Sequence, residues 1–276
     1  MPQTQQAGIS ARIQGALRTL AAVFTVWSYL LLAPFGLVIF FVLGQLWRKD
    51  PMLRARRIQA LTVRFYRFMH DWLRLLRITH FDPRQHIQGM PTGPCVVIAN
   101  HPTLMDITSI SALIGGGCTI VKPQMFRRPL LNPLIVGAGH IEGPGEDMVT
   151  IGKVLEDALQ RLDAGFKLII FPEGTRSRTD GLLPFGRTAF EIACRAGVPL
   201  VSFSIRCDPV YLSKEVLVYR PPHPTAQLRL ELLAVDDPAD VNHDSRALRQ
   251  RVRDRYEDWW TVTHAGASPS PISDRS

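Results

Sequence analysis

Residues 95–106 read CVVIANHPTLMD, and the fold class turns on how that stretch breaks. Residues 95–99 (CVVIA) are a short apolar run rich in β-branched side chains, with no polar alternation, so they read as a strand buried on both faces. Pro102 disfavours the helical region for the residue before it, which leaves His101 on a loop at the strand's carboxyl end. Residues 105–113 then carry a helical pattern with Asp106 in its first turn. Strand, polar loop and helix in that order begin a βα unit.

The same grammar continues along the chain. Residues 118–121, 167–171 (KLIIF) and 200–205 (LVSFSI) read as further buried strands, and residues 147–162 and 187–195 as the helices between them. A proline-rich link at 220–224 separates two later strands, 216–219 and the alternating run 227–233 (QLRLELL); residues 243–261 read as a closing amphipathic helix. The expected fold is α/β: a central, mostly parallel sheet flanked by helices and preceded by N-terminal membrane helices. The segments are 1–19, an N-terminal stretch; 20–47, a membrane segment; 48–83, a basic amphipathic helix; 84–262, the main domain with its C-terminal helix; and 263–276, a disordered tail.

At 276 residues and 46% hydrophobic content the chain has enough apolar material for one sizeable core, which excludes a disordered protein. Cys95, Cys118, Cys194 and Cys207 show no CxxC spacing, so neither a disulfide framework nor a zinc module is expected. The net charge of +8 is unevenly placed: residues 1–77 hold eleven Lys/Arg against Asp50 and Asp71, a net of +9, and the remainder has a net of −1. A nucleic-acid enzyme carries its basic face on the working domain, so nucleic acid is not an expected partner; an anionic membrane is. Residues 20–47 contain no charged side chain and are long enough to cross a bilayer, either as one span kinked at Pro34 and Gly36 or as a re-entrant hairpin. In residues 52–78, Ile58, Leu61, Phe65, Phe68, Met69, Trp72 and Leu76 fall on one helical stripe, and Arg57, Arg64, Arg67, Asp71 and Arg74 gather opposite. That stripe either enters the headgroup layer or packs on the main domain. The basic cluster following the span places the main domain on the cytoplasmic face.

No G-x-S-x-G elbow, P-loop or H-E-x-x-H is present, and the Gly137-Ala138-Gly139 run lacks the rest of a dinucleotide fingerprint. Two loops remain, each directly after a buried strand. In the first, an H-x4-D spacing alone arises by chance about as often as not. Its context is stronger, because a carboxylate in the first turn of a helix folds back onto an imidazole on the preceding loop. His101 then acts as a base and Asp106 fixes its tautomer; the alternative is a helix-capping Asp106 beside a surface His101. The second loop, Phe171-Pro172-Glu173-Gly174-Thr175-Arg176-Ser177, leaves a neighbouring strand at the same sheet edge. Glu173 is suited to accept from a hydroxyl, Arg176 to clamp an anionic oxygen, and Gly174 permits tight backbone approach; a capped helix start or loop salt bridge is the plainer reading.

Together, and in this order, NHPTLMD and FPEGTRS resemble the two signature blocks of the glycerolipid acyltransferases of the lysophosphatidic-acid acyltransferase type. The resemblance covers residues 84–235, including Val198-Pro199-Leu200-Val201 as a late strand. It implies a glycerol-3-phosphate acyltransferase-like sheet and transfer of a fatty acyl group from acyl-CoA or acyl-carrier protein to a lysolipid hydroxyl, as in phospholipid biosynthesis. It implies no metal, no cofactor and no acyl-enzyme. His101 and Asp106 would be catalytic, with loop amides near the histidine stabilising the oxyanion. Thr103, Glu173, Gly174, Thr175 and Arg176 would meet the acceptor, helped by Lys122, Arg127 or Arg128. One position departs: Gly145 stands where the family's G-x-[IV]-x-[IV]-x-R segment carries an arginine for the acceptor phosphate. Three alternatives therefore stay open: acylation of a non-phosphate lysolipid such as a lyso-ornithine lipid, hydrolysis with water as acceptor, or a non-catalytic membrane scaffold.

Overall fold

The structure, a computed structural model, describes residues 49–129, 131–144, 148–177, 181–213 and 222–264, with isolated positions between 13 and 42. The uncharged segment 20–47 lies almost entirely outside the described residues, as do the strand expected at 216–219 and residues 265–276. No helix among the described residues is long and apolar enough to cross a membrane.

Seven strands form one sheet: β1 (Thr79–His80), β2 (Val96–Ala99), β3 (Cys118–Val121), β4 (Ile141–Glu142), β5 (Leu168–Ile170), β6 (Leu200–Asp208) and β7 (Ala226–Asp236). Their spatial order is β1-β7-β6-β2-β5-β3-β4. Strands β2 to β6 are parallel, β7 returns antiparallel along β6, and β1 runs with β7. Every residue of β2 and β5 is buried, the continuous apolar run demanded of strands covered on both faces. Helices α1 (Pro51–Leu75) and α2 (Asp106–Ile114) contribute to the core on one face. On the other lie α5 (Met148–Asp163), α6 (Thr188–Ala196) and α7 (Ser245–His264). Two short helices, α3 (Pro123–Phe126) and α4 (Asn132–Gly137), connect β3 to β4.

Most expected elements appear within a residue or two of their expected limits. Strands β1 and β4 were not foreseen, since two residues are too few to show a period. The division at 83/84 falls inside this body: β1 is a strand of the sheet, and Ala55 and Ile58 of α1 are 2% and 0% exposed.

Helix α1 divides the expected apolar stripe: Ile58 packs into the body, and Phe65 and Phe68 face outward. Its buried face is Ala55, Ile58, Gln59, Val63, His70 and Leu73, whereas Phe65 and Phe68 are 45% and 58% exposed. The series Gln59, Val63, His70, Leu73 and the apolar series Leu61, Phe65, Phe68, Trp72 are centred about 200° apart around the helix. They occupy opposite sides. The small and polar face docks because the neighbouring chain leaves room for it: a Cβ on Gly137 would lie 2.7 Å from Ile58 Cδ1, and one on Gly139 3.1 Å from Ala55 Cβ. Gln59 Nε2 donates to the Ala138 carbonyl at 2.8 Å, and Arg67 Nε to that of Ala112 at 3.0 Å.

The α1–α2 interface contains His70, fully buried and edge-on to Phe81. The hydroxyls of Thr108 and Ser109 both donate to the Met105 carbonyl, so they meet His70 Nε2, at 3.3 and 3.2 Å, as acceptors. His70 is therefore the neutral Nε2–H tautomer, and its buried Nδ1 has no partner among the described residues. Burial lowers its pKa to about 4, with Asp71 opposing; burial alone lowers that of His140, whose Nδ1 accepts from Thr119 N, to about 4.

A pH dependence follows. Between pH 6.5 and about 4 the unfolded chain protonates these histidines and the folded chain does not, so stability is lost as pH falls through that window, by roughly 3 kcal/mol per histidine. Thermal midpoints recorded from pH 7 to pH 4 should fall more steeply for the wild type than for His70→Gln. Parallel curves would contradict this account of His70.

Candidate active site

The parallel order β2-β5-β3 brings three strand ends together at one rim: His101 after β2, Pro172 and Glu173 after β5, Lys122 after β3. Loops leaving the carboxyl ends of parallel strands are where such sheets place ligands. Asn100 fixes the first of them. Its side chain donates to the Ile205 carbonyl at 2.9 Å and accepts from Ile205 N at 2.7 Å, extending the β2–β6 ladder by one side chain beyond its last backbone pair.

Asp106 is wholly buried. Its Oδ2 meets His101 Nδ1 at 2.7 Å and accepts from Thr103 N at 2.8 Å, while Oδ1 accepts from Thr103 Oγ1 at 2.5 Å. Burial pushes its pKa up; the bonds from His101 and Thr103 oppose that shift. Paired with an acceptor-only carboxylate, Nδ1 carries the imidazole proton and Nε2 keeps its lone pair. The His101 side chain is 19% exposed against 0% for Asp106, so only the base reaches the surface. Phe171 stacks on the imidazole, centroids 4.1 Å apart and planes at 17°, which limits ring rotation and presents a π face to any imidazolium formed.

The second loop is closed onto the first. Ser177 N donates to the His101 carbonyl at 2.7 Å, and His101 N donates to Ser177 Oγ at 2.8 Å and more weakly to Glu173 Oε1 at 3.3 Å. Gly174 has φ +66° with open space where a Cβ would sit, so its conformation rather than crowding requires glycine. Gly186 N donates to the Pro172 carbonyl at 2.7 Å and closes the loop's base.

His101, Asp106, Thr103 and Glu173 are thus joined by direct hydrogen bonds, and Gly174, Thr175 and Arg176 sit on the same loop as Glu173. The partners of Thr103 and Glu173 are protein groups: Thr103 is fully buried against Asp106, and Glu173 is 8% exposed. Arg176 is partly exposed and has no ion pair among the described residues. Lys122, Arg127 and Arg128 are exposed on the β3 side of the rim, where Arg127 Nε faces Glu142 Oε1 at 3.8 Å.

The amides of the His101 loop are committed internally, contrary to the expectation that they hold an oxyanion. Those of His101, Thr103, Leu104 and Met105 donate to Ser177, Asp106, the Leu212 carbonyl and Thr103 Oγ1, and Pro102 has none. Asn100, Phe171 and Ser177 stand inside the two sequence blocks without a role legible from spacing. Tyr256 had no local signal at all; buried under the rim, its hydroxyl donates to the Phe203 carbonyl at 2.5 Å.

Replacing Asn100 by alanine strands two buried backbone groups of Ile205. A loss of about 1–3 kcal/mol in denaturant unfolding is expected. A change under about 0.5 kcal/mol, the size usual for a surface substitution, would contradict the bridging role.

Comparison with known proteins finds acyltransferases. The acyltransferase family model matches residues 80–206. A 1-acyl-sn-glycerol-3-phosphate acyltransferase of Cocos nucifera is 35% identical over 46% of this chain and 42% of its own length. The Homo sapiens 1-acyl-sn-glycerol-3-phosphate acyltransferase beta is 28% identical over 63% of this chain and 64% of its own. For the first three curated relatives the match spans 42%, 36% and 39% of their length. The crystal structure of the 1-acyl-sn-glycerophosphate acyltransferase PlsC from Thermotoga maritima shares the fold, with a TM-score of 0.66 at 22% identity over 94% of this chain and 99% of that one. Residues 80–206 of the chain thus match the acyltransferase family model, and the relatives they resemble are 1-acyl-sn-glycerol-3-phosphate acyltransferases.

Proposed function

We propose that the protein is a membrane-associated O-acyltransferase that moves a fatty acyl group from acyl-CoA or acyl-carrier protein to a lysolipid hydroxyl, of the 1-acylglycerol-3-phosphate type. The observation that carries this reading is the buried Asp106 turning the lone pair of His101 Nε2 outward at the rim. The acceptor hydroxyl gives its proton to Nε2 as its oxygen bonds to the thioester carbonyl carbon. The tetrahedral intermediate then collapses, the carbon–sulfur bond breaks, and the imidazolium returns the proton to the leaving thiolate. Because the His101 loop's amides are committed, the developing oxyanion draws on Lys122, Thr175 or Arg176 at the same rim.

Membrane association is supported by three features. Residues 20–47 are uncharged, and the basic excess follows directly, which puts the catalytic domain on the cytoplasmic face. The outward side of α1 shows Phe65, Phe68 and a 72% exposed Leu75 among arginines, a composition suited to an anionic headgroup layer. His70 meets Ser109, so the last turns of α1 lie beside the first turn of α2, close to Asp106; Leu104, within the His101 loop, is 56% exposed. The end of α1 therefore lies near the loop that carries the base, which suits an acceptor that keeps its chain in the bilayer.

A second acceptor class is favoured by one observation. Gly145 replaces the arginine expected for phosphate, and Arg127 already faces Glu142, which leaves Arg176, Lys122 and Arg128 as the candidate contacts without an ion pair among the described residues. A non-phosphate lysolipid, such as a lyso-ornithine lipid, fits that reduced charge.

The test uses the full chain in lipid vesicles with labelled acyl-CoA or acyl-carrier protein and a panel of lysolipids. His101→Ala should reduce transfer by about 10²–10⁴-fold, and Asp106→Asn strongly, in variants that circular dichroism shows to be folded. Wild-type transfer in both variants would overturn the assignment. Transfer to an aminolipid but not to lysophosphatidic acid would select the second acceptor class.

A further inference from the structure

We propose that Ser177 is a positioning residue for His101, and that Glu173 acts through it instead of binding the acceptor; the inference rests on His101 being the base. Ser177 engages both backbone groups of His101, accepting from its N–H with Oγ at 2.8 Å and donating its own N–H to its carbonyl at 2.7 Å. One bond to each of the two peptide units that flank its Cα fixes the residue's position and tilt. The Ser177 hydroxyl proton is directed at Glu173 Oε1, 2.5 Å away, so its lone pairs face His101 N. Glu173 thereby sets the direction of the hydroxyl.

The far oxygen of Glu173 is also occupied, accepting from Leu183 N at 2.9 Å. With both oxygens engaged and the residue 8% exposed, no open side is left for a headgroup hydroxyl. The chain of contacts runs from Leu183 through Glu173 and Ser177 to His101, and on through the imidazole to Asp106. Both the 2.7 Å contact to Asp106 and the stack on Phe171 depend on where this peptide sits, since the ring has only two rotatable bonds of its own. Arg176, one residue away and partly exposed, keeps the role of anion contact; the loop thus divides into an inward positioning half and an outward binding residue.

The test compares full-length wild type with Ser177→Ala, Ser177→Thr, Glu173→Gln and His101→Ala. Labelled acyl-CoA and a lysolipid mixture from a phospholipase-treated lipid extract are the substrates; kcat, apparent acceptor KM and the unfolding midpoint are read for each. Ser177→Ala should lower kcat by roughly 10–100-fold, the scale of a slight misplacement of a reacting group, with KM within about twofold of wild type. Ser177→Thr, which keeps the hydroxyl, should restore most of kcat, and Glu173→Gln should follow the kcat pattern. A wild-type kcat in Ser177→Ala would overturn the inference. So would Glu173→Gln raising KM with kcat intact, the signature of a lost headgroup contact. If Ser177→Ala does not fold, Glu173→Gln makes the same comparison at unchanged volume. Full transfer by His101→Ala would instead overturn the assignment of the base, and the positioning role with it.

Discussion

A carboxylate with no exposed surface has to be satisfied by the protein around it, and at Asp106 that constraint shapes the whole rim. Three contacts meet it, and each fixes something else. Thr103 N and Oγ1 fold the loop into a tight turn ahead of α2, and His101 Nδ1 is drawn inward so that Nε2 points out. Removing any one leaves a buried charge short of a partner. The surrounding contacts serve the same arrangement: Asn100 holds the end of β2, Phe171 holds the ring, and the second loop clamps the histidine's peptide.

The sheet's connectivity explains why two loops some seventy residues apart meet. Parallel strands separated by helices send every carboxyl end to one edge, and β5 inserts directly between β2 and β3. The same topology places α1 antiparallel to α2, with its small and polar side inward and its aromatic side outward. The positive excess is concentrated in the first 77 residues, most of it on α1 and just before it.

Where the sequence could be read, the signal was local. Fully buried strands announce themselves as unbroken apolar runs, and β2, β3 and β5 lie within a residue of where those runs stand. His101 and Asp106 were legible because Pro102 forces the chain to break between strand and helix. The apolar stripe of α1 left open which part of it packs and which faces outward, because hydrophobicity alone does not fix burial. Glycines at 137 and 139, distant in sequence, make room for Ile58 and Ala55, and no pattern within α1 reveals them. Thr103 and Glu173 were expected to meet substrate because of their chemistry; that their oxygens are already engaged by nearby groups is a fact of three dimensions. The hydroxyl of Ser177 was visible in the block but had no partner until two loops closed, and Tyr256 reaches the Phe203 carbonyl from the far end of the chain.

The central claim is the tautomer of one imidazole. Nitrogen-15 NMR of histidine-labelled protein at neutral pH, with His101 assigned by its loss in His101→Ala, reads this directly. The account predicts a proton on Nδ1, hydrogen-bonded to Asp106, and an unprotonated Nε2. A proton resident on Nε2, with Nδ1 bare, would contradict it, because His101 would then have no lone pair to offer an acceptor hydroxyl.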